Sequence, residues 1–127
     1  MAVNSYRDLA VWQKSYQLAL AVYKATGSFP REEVFGLTSQ VRRAAVSIVA
    51  NLAEGNCRHS RADYVRFVSI AQGSAGELDT LLWLARDLSY LKDTEAPQLT
   101  EQLTEGSKML NGLARSLRDH QGRGTGD

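Results

Sequence analysis

Phe35-Gly36-Leu37-Thr38-Ser39-Gln40-Val41-Arg42-Arg43-Ala44-Ala45-Val46-Ser47-Ile48-Val49-Ala50-Asn51-Leu52-Ala53-Glu54-Gly55 decides the fold, because it reads as one helix with a stop at its end. Val41, Ala45, Ile48 and Leu52 recur at spacings of four and three, which stacks them on one helical face. At about 100° per residue, Val46, Val49 and Ala53 fall well away from that stripe, so two sides of the helix are expected to be buried. Gln40, Arg43, Ser47, Asn51 and Glu54 share the remaining arc as a polar strip. Gly55-Asn56 is expected to end the helix.

Upstream, Ser5 and Asp8 are candidate N-caps for a first helix on which Leu9, Trp12, Tyr16, Ala19 and Tyr23 follow at threes and fours. This aromatic face is expected to be core packing, with the tyrosine hydroxyls at the rim. Gly27-Ser28-Phe29-Pro30 ends that helix, and Arg31, Glu32 and Glu33 lead to the second.

Downstream, Cys57-Arg58-His59-Ser60 reads as a polar turn, with Ser60 and Asp63 forming a weak capping box. A third helix is expected to run to about Leu91, its main stripe being Tyr64, Phe67, Val68, Ala71, Ala75, Leu78, Leu82 and Ala85. Its expected length, on the order of 45 Å, exceeds that of the other three. A second stripe, Ile70, Leu81, Leu84, Leu88 and Leu91, shares its side with Gly73 and Glu77. A helix apolar on two faces leaves one face wet in a four-helix monomer, so a subunit interface is the economical reading. Gly73 and Gly76 each cost about 1 kcal/mol of helix propensity, which points to close backbone approach by a neighbour. Glu77, if buried there, needs Arg42 or Arg43 as partner; otherwise it lies exposed at a subunit rim. Lys92-Asp93-Thr94 makes the last turn, capped by Asp93 or Thr94, and Leu99, Leu103, Gly106, Leu110, Leu113 and Leu117 form the closing seam.

The fold class is therefore all-α: an antiparallel up-and-down four-helix bundle over residues 1–120, followed by a disordered tail, 121–127, which has little to bury. With 127 residues, 43% hydrophobic composition and net charge +1, the chain fits one domain. It shows neither a membrane span nor a secretory signal, and its single cysteine, Cys57, has no internal partner; a cytoplasmic location is expected. The charge is uneven. Through Arg66 there are nine Lys/Arg against five Asp/Glu, and beyond it six against nine.

Three segments carry a family resemblance. Phe35-Gly36-Leu37-Thr38-Ser39-Gln40, Arg42-Arg43-Ala44-Ala45-Val46-Ser47-Ile48 and Asn51-Leu52-Ala53-Glu54-Gly55 resemble the signature of the four-helix-bundle proteins named for intervening sequences in bacterial 23S ribosomal RNA genes. Tyr6-Arg7-Asp8-Leu9 with Val11-Trp12-Gln13, and Ser60, Tyr64, Phe67, Ile70-Ala71, Gly73-Ser74 and Glu77-Leu78, extend the likeness over roughly residues 6–91. One departure is Val49, where the family usually has proline, so the second helix is expected to run straighter here. The resemblance implies a ring-like, barrel-shaped homo-oligomer, a homopentamer. It also implies a relation to the accessory proteins of diversity-generating retroelements, RNA-binding partners of reverse transcriptases.

Nothing in the chain points to an enzyme. Cys57 and His59 are too few for zinc, and neighbours in a turn seldom form a nucleophile and base. No phosphate-cradling loop and no paired carboxylates are evident, so neither metal nor cofactor is expected. Arg42, Arg43, Arg58, Arg61 and Arg66 are the candidate phosphate contacts, with ion pairing to Glu54, Asp63 or Glu77 as the plainer role. Asn51, Glu54 and Glu77 are the candidate buried or interface polar residues. Two readings stand. One is a non-enzymatic homo-oligomer that binds structured RNA, or a nucleic-acid-processing protein, through repeated arginines; the other is a protein scaffold or adaptor with no nucleic-acid binding. Membrane is not among the partners expected.

Overall fold

The structure, a computed structural model, describes residues 5–126, with side chains through 119. After a 3-10 turn at Tyr6–Asp8 come α1 (Ala10–Thr26), a second 3-10 turn at Arg31–Glu33, α2 (Leu37–Asn56), α3 (Arg61–Asp87) and α4 (Glu95–Gly126). The described residues contain four helices and no strand. Each helix packs on its neighbours in sequence and α1 closes on α4, while the diagonal pairs do not meet. Side-chain ties fix the directions. Arg42, early in α2, bonds Thr26 at the end of α1, and Lys14, early in α1, pairs with Glu105 well along α4 at 3.0 Å. The expected disordered tail, 121–127, lies outside the residues whose side chains are described; the bounds of α4 take in all of it but Asp127.

The core follows the stripes read on α2, α3 and α4. Val41, Ala45, Ile48 and Leu52 are buried, as are Val68, Ala71, Leu78, Leu82 and Ala85, and Leu99, Leu103, Leu110 and Leu117. On α1 the buried face is a different one: Val11, Ser15, Leu18, Val22 and Ala25. Tyr16 and Tyr23 are exposed and Trp12 only half-buried, so the aromatic stripe is a flank of the core and not its centre. Trp12 stacks on Tyr16 at 4.9 Å and meets Tyr6 at 5.3 Å. Large rings gain much of their burial from one another at the surface, which leaves the smaller aliphatic residues to face inward. The second apolar side expected for α2 is likewise partial, with Val46 exposed and Val49 and Ala53 half-buried. Helix α2 continues unbroken through Val49.

Helix ends depart from the sequence reading in instructive ways. Ser5 caps the first 3-10 turn through the Arg7 amide at 3.1 Å; α1 itself starts after Leu9 without a side-chain cap. Ser60 caps α3 as expected, accepting from the Asp63 amide at 3.0 Å. No described glycine has a positive φ, so neither Gly27 nor Gly55 is a left-handed cap. That conformation falls instead to Ser89, with φ 64°. The Tyr90 amide bonds Ala85 O and the Ser89 amide bonds Arg86 O, both at 2.9 Å, the paired bonds of a Schellman stop. Helix α3 therefore ends at Asp87, and Leu91 is buried from the connection. At 27 residues it is shorter than α4, with 32, reversing the expected order of lengths.

The Tyr90 hydroxyl donates to Glu33 Oε2 at 2.9 Å, and Glu33 Oε1 accepts from the Leu37 amide at 3.0 Å. This hydrogen bond, then partial desolvation, then the carboxylate charges of Glu33 and Glu32, raise the Tyr90 pKa above that of a free phenol. Folding thus favours the protonated ring. Its contribution is fully present below about pH 10 and is lost as pH rises through the raised folded value. Between those points the native chain is expected to lose stability with a steeper pH slope than Tyr90→Phe, read by denaturant melts at stepped alkaline pH; equal slopes would show that the bond does not hold in solution.

Candidate functional site

The five candidate arginines do not form one patch. Helix geometry puts Arg42 and Arg43 about 20 Å along the axis from the turn between α2 and α3, which holds Arg58 and leads into Arg61 at the start of α3. Arg42 reaches across to the end of α1, where Nε donates to Thr26 Oγ1 at 2.8 Å and Nη2 to Tyr23 O at 3.3 Å. Its guanidinium also lies 4.6 Å from the Tyr23 ring centre. A cation on the last carbonyls of a helix offsets the negative end of its dipole, so Arg42 has a structural task already. Arg43, on the outer strip of α2, is exposed and makes no ion pair among the described residues.

At the other end, Arg58, Arg61 and Arg66 come together around the first turns of α3. Arg58 and Arg66 both lie over the Phe67 ring, at 4.9 and 4.6 Å. Arg58 pairs with Glu54 at 3.5 Å and Arg66 with Asp63 at 3.7 Å. Both are long, exposed pairs of the kind that contributes little, so they leave the guanidiniums available. Arg61, unpaired among the described residues, lines a shallow hollow of about 220 Å³ with Arg58, His59, Ser60, Tyr64 and Leu117. Leu117 shows that the far part of α4 shares this end, and with it come Arg115 and Arg118, which the sequence reading missed. Only the antiparallel return of α4 could have placed them there.

The candidate polar residues fall into three situations. Asn51, half-buried, donates from Nδ2 to Ser47 O at 2.8 Å and Ser47 Oγ at 3.0 Å; Ser47 Oγ in turn meets Ser74 Oγ at 2.7 Å, tying α2 to α3. Glu54 is exposed and serves Arg58. Glu77 is exposed and has no ion pair among the described residues, so neither Arg42 nor Arg43 partners it within one subunit. Cys57 is free and exposed, and no group of three or more His, Cys, Asp and Glu able to hold a metal occurs among the described residues. No described helix is long and apolar enough to cross a membrane.

The apolar surface is the other notable feature. Ile70, Leu84 and Leu88 of the second α3 stripe stand 42–47% exposed, while Leu81 is buried. Tyr16 and Leu20 on α1 and Val46 on α2 are exposed as well. A Cβ added at Gly73 or Gly76 would meet nothing within 4 Å, so no neighbour inside the subunit requires either glycine.

An arginine-bearing end and an uncovered apolar flank on a sequentially packed bundle define a small all-α protein with surfaces for contact. The chain belongs to the family of 23S rRNA-intervening sequence proteins, whose model matches residues 7–112. It is also similar to the crystal structure of a protein of unknown function from the S23 ribosomal protein family of Bacteroides thetaiotaomicron, at 26% identity and a TM-score of 0.76. That match covers 83% of this chain and 95% of the other. None of the curated proteins matches.

Proposed function

We propose that this chain is a non-enzymatic interaction protein that assembles into a ring-like homo-oligomer, a pentamer by the family resemblance, and offers its arginine end repeatedly to structured RNA. The observation that carries the reading is the exposed flank of α3, where Ile70, Leu84 and Leu88 face water beside Gly73, a glycine that nothing in the subunit explains. Covering that flank with a second copy removes apolar area from water and gives Gly73 a neighbour. A ring then multiplies the Arg58, Arg61 and Arg66 cluster around its axis, which turns a modest patch into a basic belt. No RNA-reading module is present among the described elements, so contact rests on phosphates and shape.

Light scattering with titration of a structured RNA at low and moderate salt tests both halves. The expected result is an oligomer whose RNA binding weakens steeply with salt and is lost in Arg58→Ala/Arg61→Ala/Arg66→Ala without change of mass. An oligomer that ignores RNA at every salt would overturn the RNA half and leave a protein scaffold. The engagement of Arg42 by the end of α1 is the observation on that scaffold's side. A monomer at all concentrations would overturn assembly itself.

A further inference from the structure

Phe35 stands 96% exposed in the connection between α1 and α2, beside the exposed Val34. A phenylalanine ring carries roughly 150–250 Å² of buriable surface at about 25 cal/mol per Å², so leaving it in water forgoes a large gain. The connection that displays it is well braced. The amides of Glu33, Val34 and Gly36 bond Pro30 O, Arg31 O and Glu33 O at 2.9–3.2 Å, and the Glu33 carboxylate holds both Leu37 and Tyr90. The ring is therefore held outward on a fixed turn, with little ordering cost left for binding.

The same end of the bundle carries a matching hollow. Between the last turns of α3 and the first of α4, Leu82, Trp83, Arg86, Asp93, Ala96 and Pro97 line a cavity of about 670 Å³, within the usual span of binding pockets, about 300–1,000 Å³. Arg86 covers one face of the Trp83 ring at 4.2 Å, and Trp83 remains half-exposed. Asp93 and Glu101 at this hollow are exposed and make no ion pair among the described residues. Arg31, one turn before Phe35, and Glu32 next to it are exposed and unpaired in the same sense, whereas Glu33 is already engaged. An exposed ring with an unpaired arginine one turn away thus stands at the same end as a hollow edged by two unpaired carboxylates, and the exposure of Phe35 shows that it does not enter the hollow of its own subunit.

We infer that Phe35 of one copy seats in the Trp83–Pro97 hollow of the next copy, with its Arg31 set against Asp93 and Glu101. The two surfaces differ, so the contact is head-to-tail and closes only as a ring. Both lie at one end of the bundle, so rotation about an axis along the helices brings the knob of one copy level with the hollow of its neighbour. This inference rests on self-assembly and names the contact it uses.

Phe35→Ala and Trp83→Ala, purified separately and followed by light scattering on dilution, test it. Each is expected to raise the concentration at which the oligomer falls apart by roughly tenfold or more, as loss of a central aromatic anchor does. At concentrations where both are monomeric, the melting of Phe35→Ala should stay that of the native chain, because the ring touches little in its own subunit. Mixing the two at concentrations where each is monomeric should yield a dimer and nothing larger. One intact knob, on Trp83→Ala, then meets one intact hollow, on Phe35→Ala. Native-like oligomers from both variants would overturn the contact while leaving assembly standing, and a mixture that stays monomeric would overturn the pairing of these two surfaces. A native chain that is monomeric throughout would overturn contact and assembly together.

Discussion

Leu78→Ala is expected to lower the unfolding free energy by about 2–5 kcal/mol, measured by urea melts with an unchanged slope. Leu78 has no exposed surface and is among the largest fully buried side chains of the bundle. Its removal costs the transfer of the lost methyl groups and opens a void that flanking backbone cannot fill. Ile48→Ala and Leu82→Ala, both 3% exposed, belong to the same class. The control is Leu84→Ala on the same helix. Leu84 faces water in the single subunit, so its truncation should leave subunit stability nearly intact and, on the proposed assembly, lower the oligomer mass instead. A loss below half a kcal/mol for Leu78→Ala would place that residue outside the core.

Gly55→Ala should destabilise by about 1–3 kcal/mol, against the gain that helix propensity alone predicts, and Gly55→Val by more. Gly55 is buried within α2, and a Cβ there would lie 2.8 Å from Phe67 Cβ and 3.0 Å from Tyr64 Cδ1. Phe67 Cβ is fixed to the α3 backbone, so the helices themselves must part. Gly73→Ala, in open space, is the matched comparison and should stabilise the isolated subunit by about 1 kcal/mol. If both substitutions stabilise alike in a thermal melt, the close approach of α2 and α3 at Gly55 is absent in solution.

The four helices were legible because aliphatic periodicity reports burial directly. It worked for Val41 to Leu52 on α2 and for Val68 to Ala85 on α3. It misled on α1, where two interleaved apolar stripes competed and the aromatic one, richer in surface, was read as core; Val11, Leu18 and Val22 fill the space beside α2 and α4. Gly55 was legible as a special position but not as a helix contact, since the need for it lies in Tyr64 and Phe67 of another element. The stop at Ser89 was hidden because its left-handed backbone is carried by a residue that seldom adopts it. Of the arginines, local sequence gathered Arg58, Arg61 and Arg66, whereas the use of Arg42 by α1 and the arrival of Arg115 and Arg118 depend on how the helices return.

The Tyr90–Glu33–Leu37 latch ties the connection bearing Phe35 to the connection that follows α3 and flanks the Trp83 hollow. Segments joined in this way open together, so the amides of Leu37 and Tyr90 should exchange hydrogen through one shared opening event. Stiffening either connection then lowers the ordering cost at the other. On the proposed contact, a copy with a neighbour in its hollow would present a quieter ring to the next, so closed rings should accumulate at the expense of short open chains.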